Sequence, residues 1–300
     1  MKIVCDCKSS IIFAKQIVMT ERKMSENVFY MVPSGGLANR MRAVASAYWL
    51  QQQTGSRTQV IWFCDWALNA PFHQLFLPIT KVELSLRDAT LLDHLLYDRA
   101  RRRNLWLPAL PQRLLFSRRM NESEVKPLKL SGFDFVAWAK GHRCYMSNFM
   151  HFGDWQPSLY QQLFTPVKEV TDKVDSLRQQ FSPHTIGMHI RRGDNQYCIA
   201  NSPLQLYIDK VAEEVERHDD TKVFLATDSQ DVKKEMRSRY GQRIITVDDE
   251  ADRGSVEGIR GGLVDLYTLS ATSRVYGSLG STYVVMAADL GGIEMIDLHR

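Results

Sequence analysis

The second half of the chain alternates short apolar runs with longer segments in which apolar residues recur every three or four positions. The short runs have the length of buried strands, and the longer segments have the periodicity of amphipathic helices. The pattern predicts strands over 186–190, 222–226, 243–247, 275–277 and 295–298, and helices over 203–217, 231–240, 263–270 and 281–290. Strands that alternate with helices in this way predict an α/β fold with a parallel, doubly wound sheet.

The first half begins with a β-turn-α unit of the same kind. A strand predicted over 28–32 is followed by a glycine-containing turn and by a helix over 39–53, on which Met41, Val44 and Tyr48 share one face. A second strand is predicted over 59–64. Because prolines interrupt the helical pattern between 155 and 183, we place a domain boundary there. The predicted parts are an N-terminal extension over 1–24, a Rossmann-like domain over 25–180 and a second domain over 181–300.

The composition is that of an ordinary soluble enzyme and indicates no particular partner. The 300 residues include 38 basic and 34 acidic side chains, and 44% of the chain is hydrophobic. No apolar run reaches the roughly 18 residues of a membrane span, so we expect no transmembrane helix. The cysteines are five in number and scattered, which favours reduced thiols and a cytoplasmic location over a disulfide framework. No metal-binding or serine-hydrolase motif occurs, and we expect no metal cofactor.

The most informative motif is the run from His189 to Asp194, in which Arg191 and Arg192 directly follow the predicted buried strand. A guanidinium group is always charged and is costly to bury without an anion. The pair therefore indicates a phosphate or carboxylate ligand, and Asp194 is expected to hold one of the two arginines.

Two further strand ends are also polar. Thr227 and Asp228 follow the strand predicted over 222–226, and Ser278, Ser281 and Thr282 lead into the last predicted helix. Each feature has an ordinary explanation as a surface ion pair, a capping turn or a helix N-cap. Because the carboxyl ends of parallel strands share one edge of a sheet, we expect all three to converge on one ligand crevice.

The turn that opens the first helix carries Gly36 and Asn39. It matches neither the Walker loop nor the dinucleotide glycine pattern, so a plain turn and a ligand-contacting loop both fit the sequence.

Taken together, these residues resemble the fucosyltransferase superfamily that contains the α1,2-, core α1,6- and protein O-fucosyltransferases. The likeness is carried by the run from His189 to Asp194, by Leu225–Asp228, by Leu263–Leu266 and by Gly277–Thr282, and it is strongest over residues 185–290. It implies a GT-B fold, in which two Rossmann-like domains face a cleft, and an inverting transfer of fucose from GDP-fucose to a glycan hydroxyl without a metal ion. The first domain would then lie on the acceptor side, and the second would bind the donor.

The resemblance also implies roles for single residues. Arg191 would bind the β-phosphate and stabilise the departing GDP, with Arg192 in support, and His189 would contact the nucleotide. Asp265 would accept hydrogen bonds from guanine. The remaining expected donor contacts are Gly36, Asn39, Thr227, Asp228, Ser278, Ser281 and Thr282.

The catalytic base is the point at which the chain departs from the core α1,6 pattern. The glutamate that acts as base in those enzymes is replaced by Ile199, ten residues after the histidine of the motif. Asp194 is a candidate because it lies close in sequence, and His151 and Asp154 are candidates from the acceptor side.

Other functions are also compatible with the sequence. The enzyme would use GDP-mannose or another GDP-sugar if only the sugar contacts differed, and a chain without a base would be a noncatalytic nucleotide-sugar or carbohydrate-binding protein. Seven arginines and no acid lie between Arg99 and Arg119, but no nucleic-acid-binding module accompanies them. We interpret Arg99, Arg101, Arg102 and Arg103 as a peripheral contact with the inner face of a membrane or with a lipid-linked glycan acceptor, beside the alternative of a solvated face.

Overall fold

A computed structural model of the protein describes residues 27–193, 196–248, 252 and 254–300. Contacts divide the chain into two compact units. The first comprises the residues up to Ser34, Arg42–Phe63 and Leu84–Asp154, and the second comprises Gly35–Met41, Cys64–Glu83 and Trp155–Arg300.

The first unit is built on a five-stranded sheet in which all neighbouring strands are parallel. Its strands are β1 (Val28–Pro33), β2 (Arg57–Trp62), β3 (Ser85–Asp88), β4 (Arg118–Met120) and β5 (Arg143–Asn148), in the order β3-β2-β1-β5-β4. Its helices are α1 (Leu37–Thr54, whose first residues belong to the second unit), α2 (Leu91–Leu96), α3 (Ala109–Leu115), α4 (Glu122–Leu130) and α5 (Phe135–Ala139). Val32, Ile61 and Tyr145 meet in a buried cluster that packs the sheet against α2 and α3.

The second unit has its own five-stranded parallel sheet. The strands are β6 (Thr185–Ile190), β7 (Lys222–Thr227), β8 (Ile244–Ile245), β9 (Arg274–Ser278) and β10 (Glu294–Leu298), in the order β10-β9-β6-β7-β8. The helices are α6 (Leu159–Leu163), α7 (Lys168–Arg178), α8 (Gln196–Asn201), α9 (Leu204–Arg217), α10 (Gln230–Tyr240), α11 (Val256–Leu269) and α12 (Thr282–Gly291). Met188, Val211 and Leu225 are fully buried in the core between this sheet and α9.

The two parallel sheets confirm the prediction of an α/β fold with two Rossmann-like halves. The predicted strands and helices of the second half are all present, although α11 begins at Val256, well before the predicted start at 263. Glycines at 258, 261 and 262 have low helix propensity and obscure the first turns of this helix in the sequence. The exact domain limits at residues 24 and 180 stay predictions.

Among the described residues, no helix combines the length and the hydropathy that crossing a bilayer requires.

Candidate functional site

The register of the second sheet brings the three polar strand ends together. β6 lies between β7 and β9, and His189 is opposite Ala226 on one side and Gly277 on the other. The strand order reverses at β6, since β7 and β8 lie to one side and β9 and β10 to the other. Ligands of open parallel sheets bind at the carboxyl ends of strands beside such a reversal. The three strand ends therefore lie side by side at one edge of the sheet, and binding of a ligand at this edge stays a prediction.

Asp228 holds the backbone that follows β6. Its Oδ1 accepts a hydrogen bond from the Arg192 amide at 2.7 Å, and its Oδ2 accepts one from the Gly193 amide at 3.0 Å. A Cβ atom at position 193 would lie 2.9 Å from Oδ2, so a side chain there would displace the carboxylate from this position. Asp228 thereby fixes the segment from which the Arg191 side chain reaches the cavity described below.

His189 contributes a neutral imidazole. Its ring stacks on Tyr283 with the ring centroids 4.8 Å apart, and Nδ1 lies 3.4 Å from the Ser281 hydroxyl. Burial is the main cause that lowers the pKa of His189, Asp228 raises it and Arg191 lowers it, and the net pKa is about 4. The ring is therefore uncharged near neutral pH, and it offers a hydrogen bond to a ligand but no positive charge.

The N-terminus of α12 faces the same edge. Ser281 is its N-cap, and the first backbone donor within the helix is the Val285 amide, so the preceding amides of the first turn are available to a ligand. The helix crosses β9 closely because Gly277 has no side chain: a Cβ atom there would lie 2.4 Å from a methyl group of Val284. A helix N-terminus of this kind attracts phosphate through its amides and its dipole.

Helix α11 presents a face on which three of four residues are glycines. Gly258, Gly261, Gly262 and Asp265 follow one another at helical spacing and all line the cavity, whereas Leu263 on the opposite face is fully buried. Cβ atoms at 261 and 262 would meet nothing within 4 Å. We call these four residues the glycine face. It is held in place by Tyr283, whose hydroxyl donates to the Gly262 carbonyl.

The segment Gly35–Met41, which contains the turn before α1 and its first residues, is anchored in the second unit by a buried ion pair. The Arg40 side chain has no exposed surface, and its Nη2 lies 2.9 Å from Asp65 Oδ1. Arg40 Nε also donates to the Gly35 carbonyl at 2.9 Å, and Gly35 adopts a φ of +77° that favours glycine. These contacts place Gly36 and Asn39 at the cavity.

All these elements line one cavity of about 580 Å³, which lies entirely within the second unit. This volume is in the usual range for small-molecule sites. Most of the predicted site residues line it: Gly36, Asn39, His189, Arg191, Thr227, Asp228, Asp265 and Thr282.

Three predicted residues do not line the cavity wall. Arg192 turns away, because its Nη2 donates to the Ser202 carbonyl at 2.8 Å. The Ser278 hydroxyl is fully buried and pairs with the hydroxyl of Tyr207 at 2.9 Å, and Ser281 is buried behind His189. These residues support the site from behind. The predicted catalytic residue Asp194 lies outside the described residues.

The cavity also contains charged residues that the sequence patterns did not identify. Lys173 and Glu169 come from α7, and Arg260 comes from the glycine-rich first half of α11. Arg260 Nε donates to the Gln74 carbonyl at 2.8 Å, which holds the side chain in place. The only sequence signal was for Arg260, an arginine within a run of glycines. Within the described ranges, no group of histidine, cysteine, aspartate and glutamate side chains has the arrangement of a metal site.

Several solved structures with the same fold are fucosyltransferases. The α1,6-fucosyltransferase NodZ, a Bradyrhizobium protein solved after soaking with GDP-fucose, matches 91% of this chain and 94% of its own at a TM-score of 0.62 and 18% identity. Arabidopsis thaliana FUT1 in complex with GDP matches 96% of this chain and 75% of its own, with a TM-score of 0.58 and 14% identity. POFUT1 in complex with GDP matches 91% and 98%, with a TM-score of 0.54 and 11% identity.

No family model matches the chain, and no curated protein matches it. The structural likeness shows that the chain has the fold of these fucosyltransferases, which confirms the predicted GT-B-like fold class.

Proposed function

We propose that the protein is a glycosyltransferase that moves fucose from GDP-fucose to a glycan hydroxyl with inversion at the sugar and without a metal ion. The observation that carries the proposal is the wall of the cavity in the second unit, on which a cation, a helix N-terminus and a carboxylate occur together. Arg191, Thr282 and Asp265 supply these three groups. The fold that the chain shares with fucosyltransferases bound to GDP or GDP-fucose supports the same donor.

The diphosphate would bind between Arg191 and the first turn of α12. A guanidinium group matches two phosphate oxygens with parallel hydrogen bonds, and the amides at the start of α12 add donors without a competing acceptor. The neutral ring of His189 and the hydroxyl of Thr282 complete this end of the cavity. Lys173 and Arg260 add positive charge elsewhere in the cavity.

The guanine base would lie against the glycine face. The bare backbone at Gly261 and Gly262 accepts a flat ring, and a methyl group at either position would occupy that space. Asp265 at the end of the face accepts hydrogen bonds from the ring N–H and the amino group of guanine, a pair of donors on one edge that adenine and uracil lack. Gly36 and Asn39 would contact the donor from the turn before α1 and from the first turn of that helix.

The chemistry is a single displacement. The acceptor hydroxyl attacks C1 of fucose from the face opposite the diphosphate, and the bond between C1 and the β-phosphate oxygen breaks with its electron pair leaving on that oxygen. Arg191 and the α12 amides stabilise the charge that develops there, and groups of this type contribute roughly 10²–10³ in rate when removed singly. These groups would stabilise the charge on the leaving diphosphate, which a metal ion stabilises in other transferases.

The acceptor proton needs a base, and Ile199 offers none. Of the candidates within the described residues, His151 has the chemistry of a base. Burial lowers its pKa, as do Lys129 and Arg42, and its Nε2 donates to the Gly153 carbonyl at 2.9 Å. The base is identified by measuring the rate as a function of pH for the alanine variants of His151 and Asp154. The variant that lacks the base should no longer show the fall in rate at low pH that protonation of the base causes.

The first experiment measures binding and turnover together. Isothermal titration with GDP, GDP-fucose, GDP-mannose and UDP is followed by mass detection of transfer to a panel of glycans, with and without EDTA. We expect GDP and GDP-fucose to bind, UDP not to bind, and fucosyl transfer to survive EDTA. Preferential binding of UDP or transfer of mannose alone would contradict the proposed donor.

The second experiment replaces Arg191 by alanine and uses Arg239→Ala as a matched control. Arg239 is an exposed arginine on α10 that pairs with Glu235 and does not line the cavity. We expect Arg191→Ala to lower kcat roughly 10²–10³-fold while the melting temperature stays near that of the parent, and Arg239→Ala to leave kcat unchanged. Equal loss of fold and activity in Arg191→Ala would instead indicate a structural role.

A further inference from the structure

The first unit carries an exposed apolar surface made of residue types that are usually buried in a protein core. Of the eleven exposed large apolar side chains in the described part of the chain, eight fall between residues 91 and 114. We call them the leucine–tryptophan surface. They are Leu91, Leu92 and Leu95 of α2, Leu105, Trp106 and Leu107 of the connecting loop, and Leu110 and Leu114 of α3.

This region buries polar side chains while most of its leucines are exposed, although Leu115 of α3 is buried in the core. On α2 the buried residue is Asp93, which receives two hydrogen bonds from the Arg87 guanidinium at 2.5 and 2.7 Å. On α3, Gln112 is buried and donates to the Asp98 carbonyl at 2.8 Å. Because the polar side chains are committed to these internal contacts, the outward position of the leucines is built into the fold.

The apolar residues of the loop between the two helices are exposed, and two of them have an unfavourable backbone conformation. Leu105 and Trp106 have φ angles of 50° and 59°, values that side-chain-bearing residues rarely adopt, and they are 76% and 60% exposed. The Asn104 side chain holds the loop, since it accepts from the Arg101 amide and donates to the Arg99 carbonyl. Strained backbone that presents apolar groups to solvent is expected where those groups have a function.

The surface is flanked by positive charge. Arg102, Arg103 and Arg113 are exposed, and the sequence contains no acid between Asp98 and Glu122. Two of the four arginines proposed from the sequence have internal partners instead: Arg99 pairs with Glu122 at 3.0 Å and Arg101 with Asp98 at 3.3 Å. Among the arginines between residues 91 and 114, the exposed ones are therefore Arg102, Arg103 and Arg113.

We propose that the leucine–tryptophan surface docks on an anionic lipid bilayer, with its leucines and Trp106 in the interfacial region and the three exposed arginines at the lipid phosphates. Leucine, tryptophan and arginine on short helices and their connecting loop are the composition of interfacial anchors. A protein partner or a second copy would have to offer matching acidic groups, and the exposed arginines beside the leucines are complementary to an anionic headgroup layer.

The test is flotation of the full chain with phosphatidylcholine vesicles that contain about 30% phosphatidylglycerol, compared with pure phosphatidylcholine. We expect recovery with the anionic vesicles and a decrease at high salt. The triple variant Arg102→Gln, Arg103→Gln, Arg113→Gln should lower the partition coefficient roughly 100-fold, since each arginine near an anionic surface contributes about 1 kcal/mol. The charge-matched control is Arg57→Gln, Lys140→Gln, Lys234→Gln, which removes three exposed cations elsewhere and should keep most of the binding.

The apolar contribution is tested with Leu110→Ser, Leu114→Ser. We expect this variant to lose about tenfold or more in partitioning with an unchanged melting temperature, because both side chains are exposed. Leu130→Ser, which changes a leucine that is 78% exposed outside the surface, should bind as the parent does. Equal recovery with both vesicle types, no effect of either set, or equal losses in the controls would overturn the proposal. A dimer in sedimentation that Leu110→Ser, Leu114→Ser converts to a monomer would assign the surface to a second copy instead.

Discussion

The glycine face of α11 yields a prediction in which stability and ligand affinity change in opposite directions. Gly261 and Gly262 lie in the interior of a helix and line the cavity, and Cβ atoms at these positions would meet nothing within 4 Å. The perturbation is the double variant Gly261→Ala, Gly262→Ala. It adds two methyl groups that clash with no protein atom but project into the space proposed for guanine.

The expected magnitudes follow from this geometry. Alanine is about 1 kcal/mol more favourable than glycine in a helix interior, so the double variant should be about 2 kcal/mol more stable. For a domain of this size the melting temperature should rise by roughly 4–8 °C. Overfilling a tight site costs about 1–3 kcal/mol, so the affinity for GDP should fall by roughly 5- to 150-fold.

The assay pairs thermal unfolding without ligand with calorimetric titration of GDP. Gly258→Ala is the matched contrast on the same face, because a Cβ atom there would lie 2.1 Å from the Asp252 carbonyl oxygen. We expect Gly258→Ala to lower the melting temperature, whereas the double variant raises it. A stabilised double variant with parental GDP affinity would refute the placement of the base on the glycine face, and a destabilised one would refute the geometry of the helix.

Three further predictions concern single side chains. Asp228→Asn replaces one carboxylate oxygen by an amide N–H group that faces a backbone N–H, so one hydrogen bond to the Arg191 segment is lost and the segment should shift. Steady-state kinetics should show a kcat that is roughly 10²-fold lower with little change in KM. His189 is held neutral with a pKa of about 4, below its unfolded value, so it contributes stability above about pH 6.5 that is lost as the pH falls towards 4. The loss in free energy of unfolding is at most about 3 kcal/mol, and it is smaller to the extent that water reaches the ring. Urea unfolding of the parent and of His189→Asn at pH 7.5 and 4.5 should show a weaker pH dependence in the variant. An equal pH dependence would count against a neutral ring at this position. Asp65→Ala leaves the Arg40 guanidinium buried without its carboxylate and should lower the free energy of unfolding in urea by about 3–5 kcal/mol. An unchanged free energy of unfolding would mean that water reaches the Arg40 guanidinium in the variant.

Much of the second unit could be predicted from the sequence because its signals are local. The strands β6, β7 and β9 are apolar runs, and the helices between them have apolar residues at helical spacing. Parallel strands must end at the same edge, so the polar residues after β6, β7 and β9 had to meet. For that reason His189, Arg191, Asp228 and Thr282 were identifiable as neighbours without any long-range information.

The direction of each side chain was not predictable in the same way. Ser278 and Thr282 belong to one run of small polar residues, yet Ser278 is turned into the core by Tyr207, a partner 71 residues away, and only Thr282 reaches the cavity. Arg192 is likewise drawn to the Ser202 carbonyl. Which member of a polar run faces a ligand depends on partners that are distant in sequence, and a local pattern does not contain them.

The largest difference between the sequence-based prediction and the structure concerns which leucines are exposed. The sequence alone predicted only that residues 99–119 are irregular and basic, with a membrane contact and a solvated face as the alternatives. The tertiary structure decided that Asp93 and Gln112 face inward and Leu110 and Leu114 face outward. The physical reason is that buried polar groups need hydrogen-bond partners, and those partners, Arg87 and the Asp98 carbonyl, are brought together only by the folded chain.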